Sequence, residues 1–214
     1  MSLHTEQLLK EQQKGYDRVA RLYDRIVGLV TRDLHYRRFL FDRMELQPGA
    51  KVLVVACGTG RDFEALLKRI DTAGRITAVD YTPAMLDIAR AKLRGLPGGE
   101  DRVELIQADA AHLDFQGEFD AAVCTFAMSV IPDYRAAYAN LLRAVRPGGS
   151  IGIMDVQPTR SGILLRVIHG MLSLFFPHFE EDRETLKWMD RDLRDFGLRK
   201  FFAGYIFTAW GSVP

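Results

Sequence analysis

The 214-residue chain is short of several things, and each shortage narrows what it can be. Two cysteines, Cys57 and Cys124, are too few for a disulfide scaffold. Both stand in apolar runs of strand type, which points to a reducing, cytoplasmic setting. An excess of one charge is missing too: 29 lysines and arginines face 28 aspartates and glutamates, a net charge of +1. That balance gives no bulk argument for a nucleic-acid partner. No uncharged apolar run reaches the roughly 18 residues of a membrane span, and the opening MSLHTEQLLKEQQKGYDR lacks the apolar centre of a signal peptide. The five histidines and two cysteines show no ligand spacing, so no metal centre is expected. Internal repeats and low-complexity tracts are absent, and nothing in the composition speaks to oligomeric state.

What is present is an alternation. Apolar runs of strand type are separated by segments of helical period, the pattern of a parallel sheet covered by helices on both faces. Strands are expected near residues 51–56, 75–80, 103–109, 119–125 and 150–156. Phe63, Leu66, Leu67 and Ile70 share one helical face, and Tyr134, Ala137, Tyr138, Leu141, Leu142 and Val145 another. The tetrapeptide RPGG at 146–149 stops the second of these helices and turns the chain into the next strand. A later helix is expected over residues 184–196, with Leu186, Met189, Leu193 and Phe196 on one side and Gly197 as its stop. The runs LRKFFAG and YIFTAW pivot on Gly204 and read as an antiparallel pair. The expected fold is α/β: one domain over residues 1–214, a Rossmann-like seven-stranded, mostly parallel sheet that an antiparallel C-terminal hairpin closes.

The stretch VLVVACGTG, residues 52–60, runs a buried strand into a glycine turn. Gly58 and Gly60 thus stand at the carboxyl edge of the sheet, where open α/β folds bind ligands. A pyrophosphate-binding G-x-G-x-x-G would need a third glycine where this chain has Phe63, which weakens a dinucleotide reading. Asp80 and Asp109 end the next two strands. An acid at Asp80 can accept from both hydroxyls of a ribose, so the turn and the two acids together suit an adenosine-containing ligand.

In that order, VLVVACGTG, ITAVDYTPAMLDIAR, VELIQADA, FDAAVCTFAMSVIPD and LLRAVRPGGSIGIMDV resemble the successive motifs of class I S-adenosylmethionine-dependent methyltransferases, across about residues 51–156. The front end, YDRVARLYDRIVGLVTRDLHYRRFLFDRMELQPGAKVL, is similar to the ubiquinone and menaquinone biosynthesis methyltransferase group. Small bacterial phospholipid N-methyltransferases look like members of the same group. The resemblance implies S-adenosyl-L-methionine as cofactor and a role for each matching position. Gly58 and Gly60, in one turn with Ala56, would face the methionine end. Asp80 would bind the ribose, Tyr81 and Met85 would sandwich the adenine, and Asp109 would accept from the adenine amino group beside the Ala110 backbone. Thr125 would line the floor near the methyl, and Tyr23 would belong to a helical lid formed by residues 1–47.

Two family positions are changed. An acid usually stands where this chain has Val54, and a glycine where it has Ala56. Loss of the acid removes one charge-assisted hydrogen bond of about 1.5–3 kcal/mol, or about ten- to a hundredfold in affinity. Asp62, just past the turn, is the candidate to compensate; the alternative is a domain that binds the cofactor without catalysis. Ala56 is expected to push the loop outward by a methyl.

The acceptor side is apolar. Residues 161–179, SGILLRVIHGMLSLFFPHF, lie in an insertion over 157–182, and the lid carries Val19, Leu22, Tyr23, Ile26 and Val27. Arg18, Arg21, Arg25, Arg32, Arg37 and Arg38 flank that entrance in sequence, as suits a face that meets anionic headgroups. The expected partner is therefore a hydrophobic or lipid acceptor, either a phospholipid headgroup amine or a prenylated quinone precursor, reached by peripheral contact with an anionic membrane. A soluble small-molecule acceptor is the alternative. Tyr16, Phe126, Asp155 and His169 are the substrate-side candidates, and spacing alone singles out no catalytic residue.

Overall fold

The computed structural model describes residue 13, residues 33–157 and residues 184–214. Seven strands form one sheet: β1 (Lys51–Val55), β2 (Arg75–Asp80), β3 (Val103–Gln107), β4 (Phe119–Thr125), β5 (Val145–Val156), β6 (Arg194–Phe201) and β7 (Ile206–Ser212). Their order across the sheet is β3-β2-β1-β4-β5-β7-β6. β1 to β5 run parallel, β7 is antiparallel to β5, and β6 is antiparallel to β7. The expected parallel sheet with a closing antiparallel pair is what forms.

The reason is visible in β1. KVLVV has no polar residue after Lys51, because both faces of a central parallel strand are covered. Val52 and Val54 join one core cluster, Leu53 and Val55 the other. Helices α1 (Asp33–Arg43), α2 (Phe63–Arg69) and α3 (Pro83–Leu93) supply the first cluster, for example through Leu40, Phe41, Leu66 and Leu86. Helices α4 (Tyr134–Ala144) and α5 (Thr185–Asp192) supply the second, through Tyr138, Leu141 and Met189.

The position of α1 matters for the site. Gly152 of β5 has no side chain because Met44 fills its place: a Cβ there would come within 2.4 Å of the Met44 sulfur. Helix α1 therefore lies close against the sheet, and its buried residues Arg37, Leu40 and Phe41, with Met44 just past its end, follow the three- and four-residue spacing of one helical face. Three members of that stripe are apolar. The fourth is an arginine.

Two expectations about element ends are corrected. The helix expected over 184–196 ends at Asp192, and Arg194 already pairs with Ser212. Gly197 is no helix stop: it sits within β6 beneath the Trp210 ring, where a Cβ would meet the indole at 2.2 Å. Asp195, at φ 52°, and Phe196 form a bulge between two paired positions, and this allowed Leu193 and Phe196 to mimic a helical repeat. RPGG does follow the end of α4, but it lies as a bulge within β5, since Val145 pairs with Phe119 and pairing resumes only at Ser150 with Ala121.

Candidate active site

Every strand from β1 to β4 ends at the same edge of the sheet, and a cleft opens there. Its lining includes Ala56, Gly58, Asp80, Tyr81, Met85, Asp109, Ala110, Thr125 and Phe126, all singled out from the sequence. Gly60 does not line it. A Cβ at Gly60 would strike the Phe63 ring at 2.4 Å, so that glycine serves to let Phe63 pack over the turn. The aromatic ring thus occupies the place where a third glycine would have allowed close helix contact.

Asp80 ties the turn together. One carboxylate oxygen accepts from the Gly58 N–H at 2.8 Å, the other from the Thr82 N–H at 2.9 Å. Burial pushes the Asp80 carboxyl above its ordinary value, against the opposing pull of those two N–H groups. A carboxylate has about four lone-pair sites, so capacity for a vicinal diol is left after both backbone bonds. Gly58, at φ 54°, leaves open space where its Cβ would be, and a ligand can approach the backbone there. Beside it Ala56 holds φ 53°, a conformation that costs a non-glycine residue about 1–2 kcal/mol. The extra methyl at this position is accommodated on strained backbone.

Asp109 caps the short 3₁₀ turn Ala110–His112: its Oδ1 accepts from the Ala111 N–H at 2.9 Å, and its Oδ2 lies 2.9 Å from His112 Nδ1. Asp155 faces elsewhere. It accepts from the Ser129 N–H at 2.7 Å and hydroxyl at 2.8 Å, so it anchors the loop after β4 and is not part of the cleft lining. Tyr16, Tyr23 and His169 lie outside the described residues, as do the rest of the insertion at 158–182 and most of the lid. Among the described residues no cluster of acids, histidines and cysteines could hold a metal, and no helix is long and apolar enough to cross a membrane.

The residue that sequence reasoning misplaced is Arg37. Counted with the headgroup-facing arginines, it is instead buried, 4% exposed, in the wall of the cleft. Its guanidinium forms an ion pair with Asp62, and its Nη1 donates to Thr125 Oγ1 at 2.6 Å. The Thr125 hydroxyl donates in turn to Asp62 Oδ2 at 2.7 Å. The guanidinium also lies 5.5 Å from the centre of the Phe126 ring, and Phe126 holds φ 54° at the end of β4. Val54 is buried in the first core cluster, one place before the end of β1. A signal for Arg37 existed: it shares the helical stripe of Leu40, Phe41 and Met44.

The residues present fit an adenosine-containing cofactor at the β1–β3 end, with an acid for the ribose, an open glycine and flanking Tyr81 and Met85. The cleft itself admits about 100 Å³.

Comparison with known proteins agrees. The model of the ubiE/COQ5 methyltransferase family matches residues 5–209. A demethylmenaquinone methyltransferase of Staphylococcus epidermidis is 26% identical over 213 residues, covering 95% of this chain and 86% of that one. Its counterpart in Staphylococcus aureus is 28% identical over 216 residues, covering 92% and 86%. In structure, a SAM-dependent methyltransferase of Aquifex aeolicus superposes with a TM-score of 0.60 at 18% identity, over 83% of this chain and 89% of that one. The glycine turn, the strand-end acids and a family match along nearly the whole chain converge: this chain belongs to the ubiE/COQ5 methyltransferase family and is an S-adenosylmethionine-dependent methyltransferase.

Proposed function

We propose that the protein methylates a ring carbon of a hydrophobic, prenylated quinol. The observation that carries this reading is the family match over residues 5–209, together with relatives that are demethylmenaquinone methyltransferases at 26% and 28% identity. The cleft supports it, because the wall beyond Thr125 is apolar: Phe126, Ala127, Val130, Ile131 and Pro132.

When bound, S-adenosylmethionine supplies a methyl group on positively charged sulfur, open to in-line displacement. The chain's task is then alignment and exclusion of water. Asp80 and the Gly58 backbone hold the nucleoside, Tyr81 and Met85 flank the adenine, and Asp109 with the Ala110 backbone reads its amino edge. Phe126, Val130 and Ile131 pack against the acceptor ring. A quinol ring carbon becomes nucleophilic once a ring hydroxyl gives up its proton, so a base is needed near the apolar wall. Both acids of the nucleoside half are already engaged, and Asp155 is held by Ser129, which leaves Tyr16, Tyr23 and His169 as the base candidates. The arginines at positions 18, 21, 25 and 32 and the apolar run 161–179 support approach from an anionic membrane surface.

The test is transfer of a labelled methyl from S-adenosylmethionine, with three acceptors offered separately: a short-chain prenylated naphthoquinol lacking the methyl, phosphatidylethanolamine vesicles, and a water-soluble phenol. Label in the naphthoquinol alone is expected. Label in the phospholipid or the phenol, with none in the naphthoquinol, would sink the acceptor assignment. Cosedimentation with anionic vesicles, weakened by salt, is the expected companion result.

A further inference from the structure

Among the described residues Arg37 is the one buried cation, and it stands in the wall of the cleft. A buried arginine requires partners, and it has them: Asp62, 1% exposed, and Thr125, 7% exposed. Both hydrogens of Nη1 go to these two groups, and the Thr125 hydroxyl closes the triangle on Asp62. Asp62 does not itself line the cleft, whereas Arg37 and Thr125 do. The arrangement holds a guanidinium in one orientation at the cleft wall with its counter-charge behind it.

The location says what such a guanidinium is for. Strand order places β1 between β2 and β4. Asp80 ends β2, Gly58 follows β1 and Thr125 ends β4. At about 4.8 Å per strand, the Asp80 and Thr125 ends are roughly 10 Å apart. A ligand with its ribose at Asp80 that crosses the open Gly58 backbone therefore brings whatever is attached to its 5′ carbon to Arg37. In the cofactor of the proposed reaction, that substituent is an amino acid, and its carboxylate is the group a fixed guanidinium recognises.

We infer that Arg37 binds the carboxylate of the cofactor's amino-acid end, with Asp62 and Thr125 as the residues that position it. This rests on the methyltransferase reading above and names the residue that reads one end of the cofactor. With valine at position 54, the charged contact at this end of the cofactor is made to the carboxylate, from a helix that crosses the sheet, and not to the ammonium from a strand acid.

The experiment compares two nucleosides that share the adenosine and the sulfur. S-adenosylhomocysteine carries the amino acid; 5′-methylthioadenosine does not. Calorimetric affinities are measured for the full chain as wild type, R37K and R37M, with R61M as control because Arg61 also lines the cleft. R37M is expected to weaken S-adenosylhomocysteine about 10- to 100-fold and to leave methylthioadenosine within about twofold; R37K should fall between. R61M should leave the ratio of the two affinities unchanged. If R37M does not fold because Asp62 is left unpaired, the double variant R37M/D62N carries the same comparison. Equal losses for both nucleosides, a ratio that follows Arg61, or a folded variant with no loss would overturn this inference alone. Wild-type protein that takes up neither nucleoside would overturn the underlying cofactor reading, and this inference with it.

Discussion

The two halves of the cleft are built in different ways. In the half at β1, β2 and β3 the two acids stand at or just past a strand end and accept from backbone N–H groups: Asp80, the last residue of β2, from Gly58 and Thr82, and Asp109, two places past β3, from Ala111. In the half at β4 the polar groups come from a helix, a helix cap and a strand, and hold one another across 25 and 88 positions of sequence. The first half is written in short motifs at strand ends, which the Asp80–Gly58 bond joins across two neighbouring strands. The second depends on how α1 lies across β5, a matter of packing at Gly152 and Met44. Local motifs reveal nucleoside-binding geometry; a charge that packing brings in from a distant helix stays hidden among ordinary surface arginines.

The largest effect is expected where the halves meet. Val54 is buried in the core on the face that α1 covers, and Arg37 is already paired with Asp62. Val54→Asp should therefore bury a carboxylate where the one buried cation among the described residues is already engaged, destabilising the fold by about 3–5 kcal/mol. Thermal unfolding should show a drop of roughly 10 °C, with and without S-adenosylhomocysteine. Unchanged stability together with tighter cofactor binding would show instead that the β4 half can still serve a strand acid.

Within the nucleoside half, Asp80→Ala should weaken S-adenosylhomocysteine by about a hundredfold or more, and Asp109→Ala by about tenfold. Asp80 offers two oxygens to a diol and also orders the glycine turn, whereas Asp109 is expected to make a single contact to the adenine. Calorimetry on both variants ranks them, and the reverse order would break the assignment of the ribose to β2.

Asp80 also makes binding depend on pH. Its carboxyl is held above the ordinary carboxylate range by burial, so it takes up a proton earlier as pH falls. The ribose hydroxyls are best accepted by the charged form, and cofactor affinity should decline on acidification from a pH above that of an ordinary aspartate. The stability contribution has the opposite sign: with the folded-state value raised, this group favours the fold at low pH and loses that contribution as pH rises through the folded value. An affinity profile for Asp80→Asn, already weakened, should lack the acid limb.

The smallest expected change is at Ala56. With φ at 53°, glycine would relieve backbone strain and lose some of the gain to its freer unfolded chain. Ala56→Gly should raise stability by about 0.5–1 kcal/mol, seen as about 1–4 °C in the melting temperature.

Much of this architecture was legible from residues. The alternation of apolar runs placed β1, β2 and β4 within a residue of their ends, and Asp80 and Asp109 stood out because strand ends face ligands in this kind of sheet; Thr125 came from the family resemblance. Asp62 was legible as an acid near the turn, though its partner was not. Arg37 was misplaced because one arginine among six in a basic segment reads as surface; only the spacing to Leu40, Phe41 and Met44 marks it. The helix at α5 was read too long because a bulged strand briefly reproduces helical spacing in Leu193 and Phe196. Gly197 seemed a helix stop when its real role is to make room for Trp210.

The central claim is that the cleft takes an adenosine carrying a methionine-derived chain, one per protein chain. Titration of purified wild-type protein with S-adenosylhomocysteine and, separately, with NADH tests it most directly. Saturable binding of S-adenosylhomocysteine at one site per chain, with no heat from NADH, is the result expected. Binding of NADH with none of S-adenosylhomocysteine would contradict the account at its base.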